Sequence, residues 1–464
     1  MTSGSTSSPM TAPLDVQTLI REQRAFFRSG ATLDYAFRRR ALDTLYDVLA
    51  ASEADIAASL SGDLGKSEGE SYLTETGIVF SELFNARKHL KAWMRPRRVS
   101  TPLFLFPAAS RIYAEPLGLA LIISPWNYPF LLSLAPLINA VSAGNCVILK
   151  PSSRAPATGA LLERLVASAF EPAHVRLVQG GPDTGNALLA GNFDFFFYTG
   201  SARVGKNVMR AAAERLVPVC LELGGKSPSI VCEDADLTLA ARRIAWGKTV
   251  NAGQTCVAPD YVLAHERVKD RLLTLLEAEF ARFPGPDALH NKAYARIISH
   301  EALERLNILA RGQAAFDVAS RRMAPLILSD PDPDSPLMRE EIFGPLLPVP
   351  GFSALEEALA FIQDRDTPLS CYIFTRSRQT ARALLQRLPF GGGCVNDVLV
   401  HAGSHALPFG GMGASGMGRY HGRAGFDLFS NLKSVIHGSQ LLDIPLRYSP
   451  HGNCALSLLK RLLK

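Results

Sequence analysis

LALIISPWNYPFLLSLAPLINAVSAGNCVILK, from Leu119 to Lys150, decides the fold. Leu119–Ile123 is a short apolar run suited to a buried strand. Phe130–Ser142 has the length and spacing of a helix, and Gly144 is placed to end it. Cys146–Leu149 is a second strand-like run. The alternation continues with a helix over Ala157–Ala169, strands over Val175–Val178 and Phe193–Tyr198, and a helix over Ala202–Arg215. Strands alternating with helices of this length build βαβ units around a parallel sheet, and ligands bind at the loops after such strands. The later chain repeats the style. Strands are predicted over Ser229–Cys232 and Tyr261–Ala264, helices over Ala240–Val250 and Val268–Ala281, and a further α/β stretch over Leu355–Leu388. Two α/β lobes joined near Leu221–Lys226 are therefore expected.

Outward from this core the pattern changes. Leu14–Met94 reads as helical, with a run free of Gly and Pro over Tyr35–Ala58. Between Pro96 and Pro116, Pro102, Pro107 and the apolar Leu103–Phe106 suggest an extended excursion or a hairpin arm. Thr2–Pro13 is rich in Ser, Thr and Pro, lacks the regions of a signal peptide, and reads as a disordered tail. At the other end, Ala455–Lys464 sets Leu456, Leu459 and Leu463 against Lys460, Arg461 and Lys464. A basic amphipathic helix of this kind could lie on a membrane. Docking on its own protein is the preferred expectation.

Composition narrows the class. A chain of 464 residues should hold two or three domains. With 47% apolar and 20% charged residues it reads as an ordinary soluble protein. The net charge is +6, but basic residues sit beside acids, as in Arg21-Glu22, so nucleic acid is not expected. A weakly positive field suits an anionic cofactor. No run of 18 apolar residues predicts a membrane span. The seven cysteines are widely spaced, without C-x-x-C, so neither a disulfide framework nor a metal site is expected. A reducing, cytoplasmic setting follows.

Two glycine-rich stretches invite misreading. Gly411–Gly416 matches G-x-G-x-x-G but follows a poor strand, so a loop needing close backbone approach is the better account. Gly200–Asn207 nearly matches a P-loop, yet Asn207 stands where a hydroxyl should hold magnesium. Gly200 ends a strand and Ala202 opens a helix, so backbone N–H groups there suit a pyrophosphate.

Four segments carry chemistry: Pro125–Pro129, Glu222–Lys226, Asn251–Cys256 and Glu340–Pro345. In this order they resemble the aldehyde dehydrogenase superfamily, over about Leu19 to Ile436. The wording of Gly253–Tyr261 and of Leu407–Gly418 is similar to the class 3 branch, which includes fatty and aromatic aldehyde dehydrogenases. The chemistry also stands on its own. A free aldehyde is a poor hydride donor, but a nucleophile added first gives an alkoxide that expels hydride readily. A cysteine thiolate suits the task, since it attacks well and later leaves from the thioester.

The resemblance implies Cys256 as that nucleophile. It implies the side-chain amide of Asn127 and the backbone N–H of Cys256 as oxyanion donors, and Glu222 as the base for thioester hydrolysis. It implies Glu341 at the nicotinamide ribose, with Phe343 and Trp126 beside it, and Lys150 at the adenosine ribose. Gly200, Ser201, Gly205, Leu223 and Gly224 complete the cofactor-binding set. Ser153 stands where many NAD-preferring relatives carry Glu, and Arg154 follows it. A carboxylate there would repel a 2′-phosphate and Ser153 would not, so NAD and/or NADP is the expected cofactor.

The implied architecture is an aldehyde dehydrogenase-like α/β fold of two doubly wound lobes and a small β bridging region. Residues 15–94 and 113–221 would form the dinucleotide-binding domain and 222–432 the catalytic domain. Residues 95–112 and 433–464 would form the bridge, after a tail over 1–14. The implied reaction oxidises hydrophobic aldehydes, medium- or long-chain aliphatic or aromatic, to carboxylic acids. A dehydrogenase passing the thioester to coenzyme A is the enzyme alternative, and a non-catalytic structural protein the other. A homodimer is expected, because an exposed arm bearing Leu103–Phe106 would otherwise be an aggregation hazard.

Overall fold

Phe195 and Phe197 turn to one face of a sheet, and Phe196 and Tyr198 to the other. Side chains alternate along a strand, so a strand apolar at every position must be covered on both faces. In this computed structural model, which describes residues 15–463, it is. Phe195–Gly200 lies third in a six-stranded sheet of order Gly416–Met417, Val219–Leu223, Phe195–Gly200, Leu119–Ile123, Cys146–Lys150, Val175–Leu177. All neighbours are parallel except the short Gly416–Met417, which runs antiparallel to Val219–Leu223. Helices Leu131–Ala143 and Pro156–Ala169 cover one face. Helices Val16–Arg28, Pro182–Leu189 and Ala202–Ala213 cover the other. Leu131–Ala143 is buried along its whole length and ends on left-handed Gly144, as predicted. The N-terminal helices Tyr35–Ala50, Glu53–Leu64 and Gly77–Trp93 pack over that first layer.

The second sheet has the order Gly351–Phe352, Tyr261–His265, Pro228–Val231, Ser370–Phe374, Gly392–Val395, all parallel. Helices Leu237–Thr249 and Glu266–Arg282 cover one face, and Leu355–Gln363 and Arg378–Arg387 the other. Both sheets are doubly wound: the chain starts in the middle and reverses direction across it. Only Gly224–Ser227 separates the last parallel strand of the first sheet from the first strand of the second. The carboxyl ends of the first sheet therefore face the amino ends of the second.

The excursion after Pro96 is a hairpin arm. Arg97–Val99 pairs antiparallel with Ala109–Pro116, and Ser430–His437 pairs on its other side. Leu103, Phe104 and Phe106 at its tip are exposed. Gly422–Leu428, just before Ser430, packs back on helices Gly77–Trp93 and Leu131–Ala143 of the first lobe.

The expected tail over 1–14 lies outside the described residues. One expectation needs correcting. The final helix, Asn453–Leu462, leaves Leu456 and Leu458 exposed, with Leu463 after it, rather than docked on the body. The stretch 438–452 leading to it is itself almost wholly exposed, so it does not bring the helix back. Among the described residues no helix is long and apolar enough to cross a membrane.

Candidate active site

The loop that carries Cys256 is a left-handed turn. After helix Leu237–Thr249, Asn251 and Ala252 both take φ 51° and Gly253 takes 73°. Non-glycine residues in this region cost about 1–3 kcal/mol each, so surrounding bonds must hold them. The N–H of Asn251 donates to Glu70 (2.8 Å), and a Cβ on Gly253 would fall 2.3 Å from the carbonyl of Gly344. Gln254 is fully buried. Its amide donates to the carbonyls of Asn251 and Arg296 (both 3.0 Å), and its oxygen accepts from the N–H of Ile298 (2.9 Å). Beyond the thiol, the Tyr372 hydroxyl donates to the carbonyl of Val257 at 2.5 Å. Cys256 is thus fixed on both sides.

Asn127 reaches the same loop from the first lobe. It follows strand Leu119–Ile123, and its amide donates to the carbonyl of Gln254 at 3.1 Å. One of its two amide N–H groups is so engaged, which leaves the other. Glu222 lies near the end of strand Val219–Leu223, 2% exposed. Burial holds its carboxyl well above the usual carboxylate range, against the pull of Arg419 and the N–H of Gly411. Its Oε2 is buried without a partner. Burial first, then the charges of Glu341 and Glu222, push the Cys256 thiol up to about 12.

Two cavities meet at Cys256. The larger, about 390 Å³, is mainly apolar, and its walls include Leu73, Leu131, Trp246, Val257, Leu399 and Phe409. Tyr128 and Thr255 lie on the same wall, joined hydroxyl to hydroxyl at 2.5 Å. The smaller, about 190 Å³, collects Trp126, Asn127, Gly200, Ser201, Glu222, Leu223, Gly224, Glu341 and Phe343 with Cys256. A third, about 670 Å³, continues from Ser201, Leu223, Gly224 and Glu341 toward the surface.

The second and third cavities suit an extended ligand with hydroxyl and phosphate groups. Glu341 Oε1 is buried without a donor, so it is an acceptor open to a hydroxyl. A Cβ on Gly224 would lie 2.1 Å from Glu341 Oε2, so glycine is required there. Burial, then the charge of Asp260, push Glu341 up to about 8. Trp126 and Phe343 meet edge to face, 5.4 Å between ring centres. Ser201 opens helix Ala202–Ala213 without capping it, which leaves the first N–H groups to a phosphate. Gly205, in its first turn, lies against Leu223.

Lys150 and Ser153 stand apart from these cavities. Lys150 is nearly buried at the end of strand Cys146–Lys150, and its ammonium donates to the carbonyl of Gly180 at 3.0 Å. Ser153 and Arg154 are exposed just beyond it.

Several contributors were not predicted. Glu70 anchors the thiol loop, Gln254 binds it to Arg296 and Ile298, and the Gly411 N–H reaches Glu222. The glycine-rich stretch at Gly411–Gly416 thus belongs beside Glu222, where Gly416 pairs with it. Its density of glycine was the available signal.

The chain is similar to known proteins over most of its length. The family model described as "Aldehyde dehydrogenase family" matches residues 5–435. The 4,4'-diaponeurosporen-aldehyde dehydrogenase of Staphylococcus aureus is 44% identical, over 93% of this chain and 95% of that protein. The dimeric NADP-preferring aldehyde dehydrogenase of Rattus norvegicus is 41% identical, over 92% of this chain and 95% of its own length. A solved structure described as the substrate-bound state of Staphylococcus aureus AldH superposes with TM-score 0.93. It is 42% identical and covers 96% of this chain and 99% of that one.

Proposed function

This chain belongs to the aldehyde dehydrogenase family, and from that premise we propose that it oxidises hydrophobic aldehydes to carboxylic acids with NAD or NADP. The substrates are medium- or long-chain aliphatic, or aromatic. The observation that carries the reading is the position of Cys256 where an apolar cavity meets one lined by Trp126, Glu222, Glu341 and Phe343. An aldehyde tail fits the first, and the nicotinamide end of a dinucleotide the second, with its adenosine end leading from Ser201 to Lys150 outside it. The NADP preference in the rat relative's name supports the wider cofactor range, as does the absence of a carboxylate at Ser153.

In this reading the first lobe binds the cofactor and the second carries the nucleophile. Ser201 and the start of helix Ala202–Ala213 hold the pyrophosphate. Glu341 takes the nicotinamide ribose, Phe343 and Trp126 flank the ring, and Lys150 takes the adenosine ribose. When bound, the nicotinamide supplies the hydride acceptor. The remaining work falls to the chain. The Cys256 thiol gives up its proton to solvent water, and its sulfur bonds to the carbonyl carbon as the C=O π pair moves onto oxygen. The resulting oxyanion lies between the amide of Asn127 and the N–H of Cys256. After oxidation the acyl group remains on sulfur as a thioester. Glu222 takes a proton from water, the hydroxide attacks, the C–S bond breaks, and the acid leaves. Two such chains form a homodimer.

A panel of aliphatic and aromatic aldehydes, assayed with NAD and with NADP, tests the proposal. The expected outcome is a kcat/KM that rises with chain length, and a Cys256→Ala variant at least about a thousandfold slower. A preference for two-carbon aldehydes, or an active Cys256→Ala, would overturn it.

A further inference from the structure

No residue from Lys66 to Thr76 touches the reacting atoms in the chemistry above, yet the segment runs beneath the site, giving Leu73 to the apolar cavity and Glu70 to the thiol loop. Lys66 and Glu75 form an ion pair, Nζ to Oε1 2.6 Å, with both side chains 0% exposed. The other oxygen of Glu75 accepts from the N–H groups of Phe130 (2.9 Å) and Leu131 (3.1 Å), where helix Leu131–Ala143 begins. Lys66 Nζ also donates to the backbone carbonyl of Asn127 at 3.1 Å and lies 4.0 Å from the centre of the Tyr128 ring. Asn251 donates to the same Asn127 carbonyl at 2.8 Å, and Glu70 holds the N–H of Asn251. Tyr72–Thr76 is a wide π turn, a form that recurs at functional sites.

Stability does not account for this pair. Two charges taken out of water lose much of their mutual gain to desolvation, and apolar groups of similar size often do as well. What the pair supplies is direction. Both charges end on backbone groups of Asn127, Phe130 and Leu131, on either side of the turn that presents the Asn127 amide to the thiol loop.

We infer that Lys66 and Glu75 are positioning residues for the oxyanion donor. The pair fixes the peptide of Asn127 and so aims its side-chain amide. The inference rests on the role proposed above for Asn127. A donor displaced by about 1 Å can cost up to about a hundredfold in rate.

Lys66→Met/Glu75→Gln tests it. The double variant removes the bond to Asn127 without leaving a lone buried charge, and the glutamine oxygen can still accept from the helix start. Lys66→Met alone and Asn127→Ala complete the set. Turnover, the KM for cofactor and the rate of Cys256 alkylation by iodoacetamide are measured together. Alkylation displaces iodide and develops no oxyanion, so an oxyanion defect leaves it alone. The double variant is expected to melt close to wild type, to alkylate and bind cofactor normally, and to lose about 10- to 100-fold in kcat. Wild-type turnover in the double variant would overturn the inference. So would a parallel loss in alkylation and cofactor binding, or failure to fold, because the pair would then be structural. Asn127→Ala separates the two levels. If it is slow while the Lys66 variants are fast, this inference alone fails. If it is fast, the role of Asn127 fails as well.

Discussion

Glu222 and Glu341 are both carboxyls that burial pushes toward the neutral form, but they face different tasks. Glu222 is proposed to act only after the carbon has been oxidised. Glu222→Gln should therefore keep its first turnover and lose the later ones. Stopped-flow absorbance is expected to show a burst of reduced cofactor near one per site, then a steady rate lower by about 10²–10⁴. A variant that loses the burst itself would place Glu222 before hydride transfer. Glu341 titrates at about 8 in the fold against an ordinary 4.5. Between these values the folded state holds a proton that the unfolded chain has released, so stability falls as pH rises across that window. Below about 4.5 both states are neutral at this group, and above about 8 both are charged and the full penalty stands. Glu341→Gln removes the penalty. The variant should match wild type in melting temperature near pH 4.5, gain steadily to pH 8, and hold the gain beyond. Its KM for cofactor should rise. Parallel melting curves at all pH values would contradict the sign.

At the scale of elements, strands buried on both faces were legible because nothing but a covered sheet tolerates such runs as Phe195–Tyr198. Boundaries were less so, and side chains explain the shifts. The strand expected from Phe193 starts at Phe195, since the Asp194 carboxylate accepts the N–H of Leu119 (2.7 Å) and pairs with Arg24. The helix expected from Ala240 starts at Leu237, because Asp236 caps it through the N–H of Leu239. The segments holding Cys256, Asn127 and Glu222 were visible as motifs, and these residues converge on one cavity. Lys66, Glu70 and Glu75 were not visible. Charges within a helical run read as its solvent face, and only packing against Leu131–Ala143 and the thiol loop turns them inward. The end of strand Cys146–Lys150 carries a prediction of its own. Ser153 and Arg154 are exposed there, beyond the nearly buried Lys150. Ser153→Glu should repel a 2′-phosphate and lower kcat/KM with NADP by at least about tenfold, leaving NAD nearly unchanged. In wild type, a kcat/KM with NADP roughly a thousandfold below that with NAD would defeat the argument, because Ser153 would then not relieve the repulsion it is meant to relieve.

The whole molecule leaves sheet edges and apolar surface that one chain does not cover. In the three-stranded sheet, Ser430–His437 is an outer strand of eight residues, with Leu432 and Ile436 exposed. The arm beside it exposes Leu103, Phe104 and Phe106, and the second sheet ends in Gly392–Val395 with Val395 exposed. Long apolar edges left open invite pairing with other chains, so a soluble protein needs them paired or guarded. Lys433 pairs with Glu115 across this sheet, which guards one position and leaves the apolar ones. A two-fold contact would cover the same surfaces on both chains at once and then stop growing, whereas an open contact would build fibres. Light scattering is therefore expected to give about 100 kDa, twice the 50.2 kDa chain. Phe104→Asp/Ile436→Asp should shift it toward monomer and lower the melting temperature. Both lobes and Cys256 lie outside the arm, so the Cys256 thiol should still alkylate in that monomer. A wild-type chain that stays monomeric at micromolar concentration would mean that the arm is guarded by its own charges, and the dimer proposal would fall.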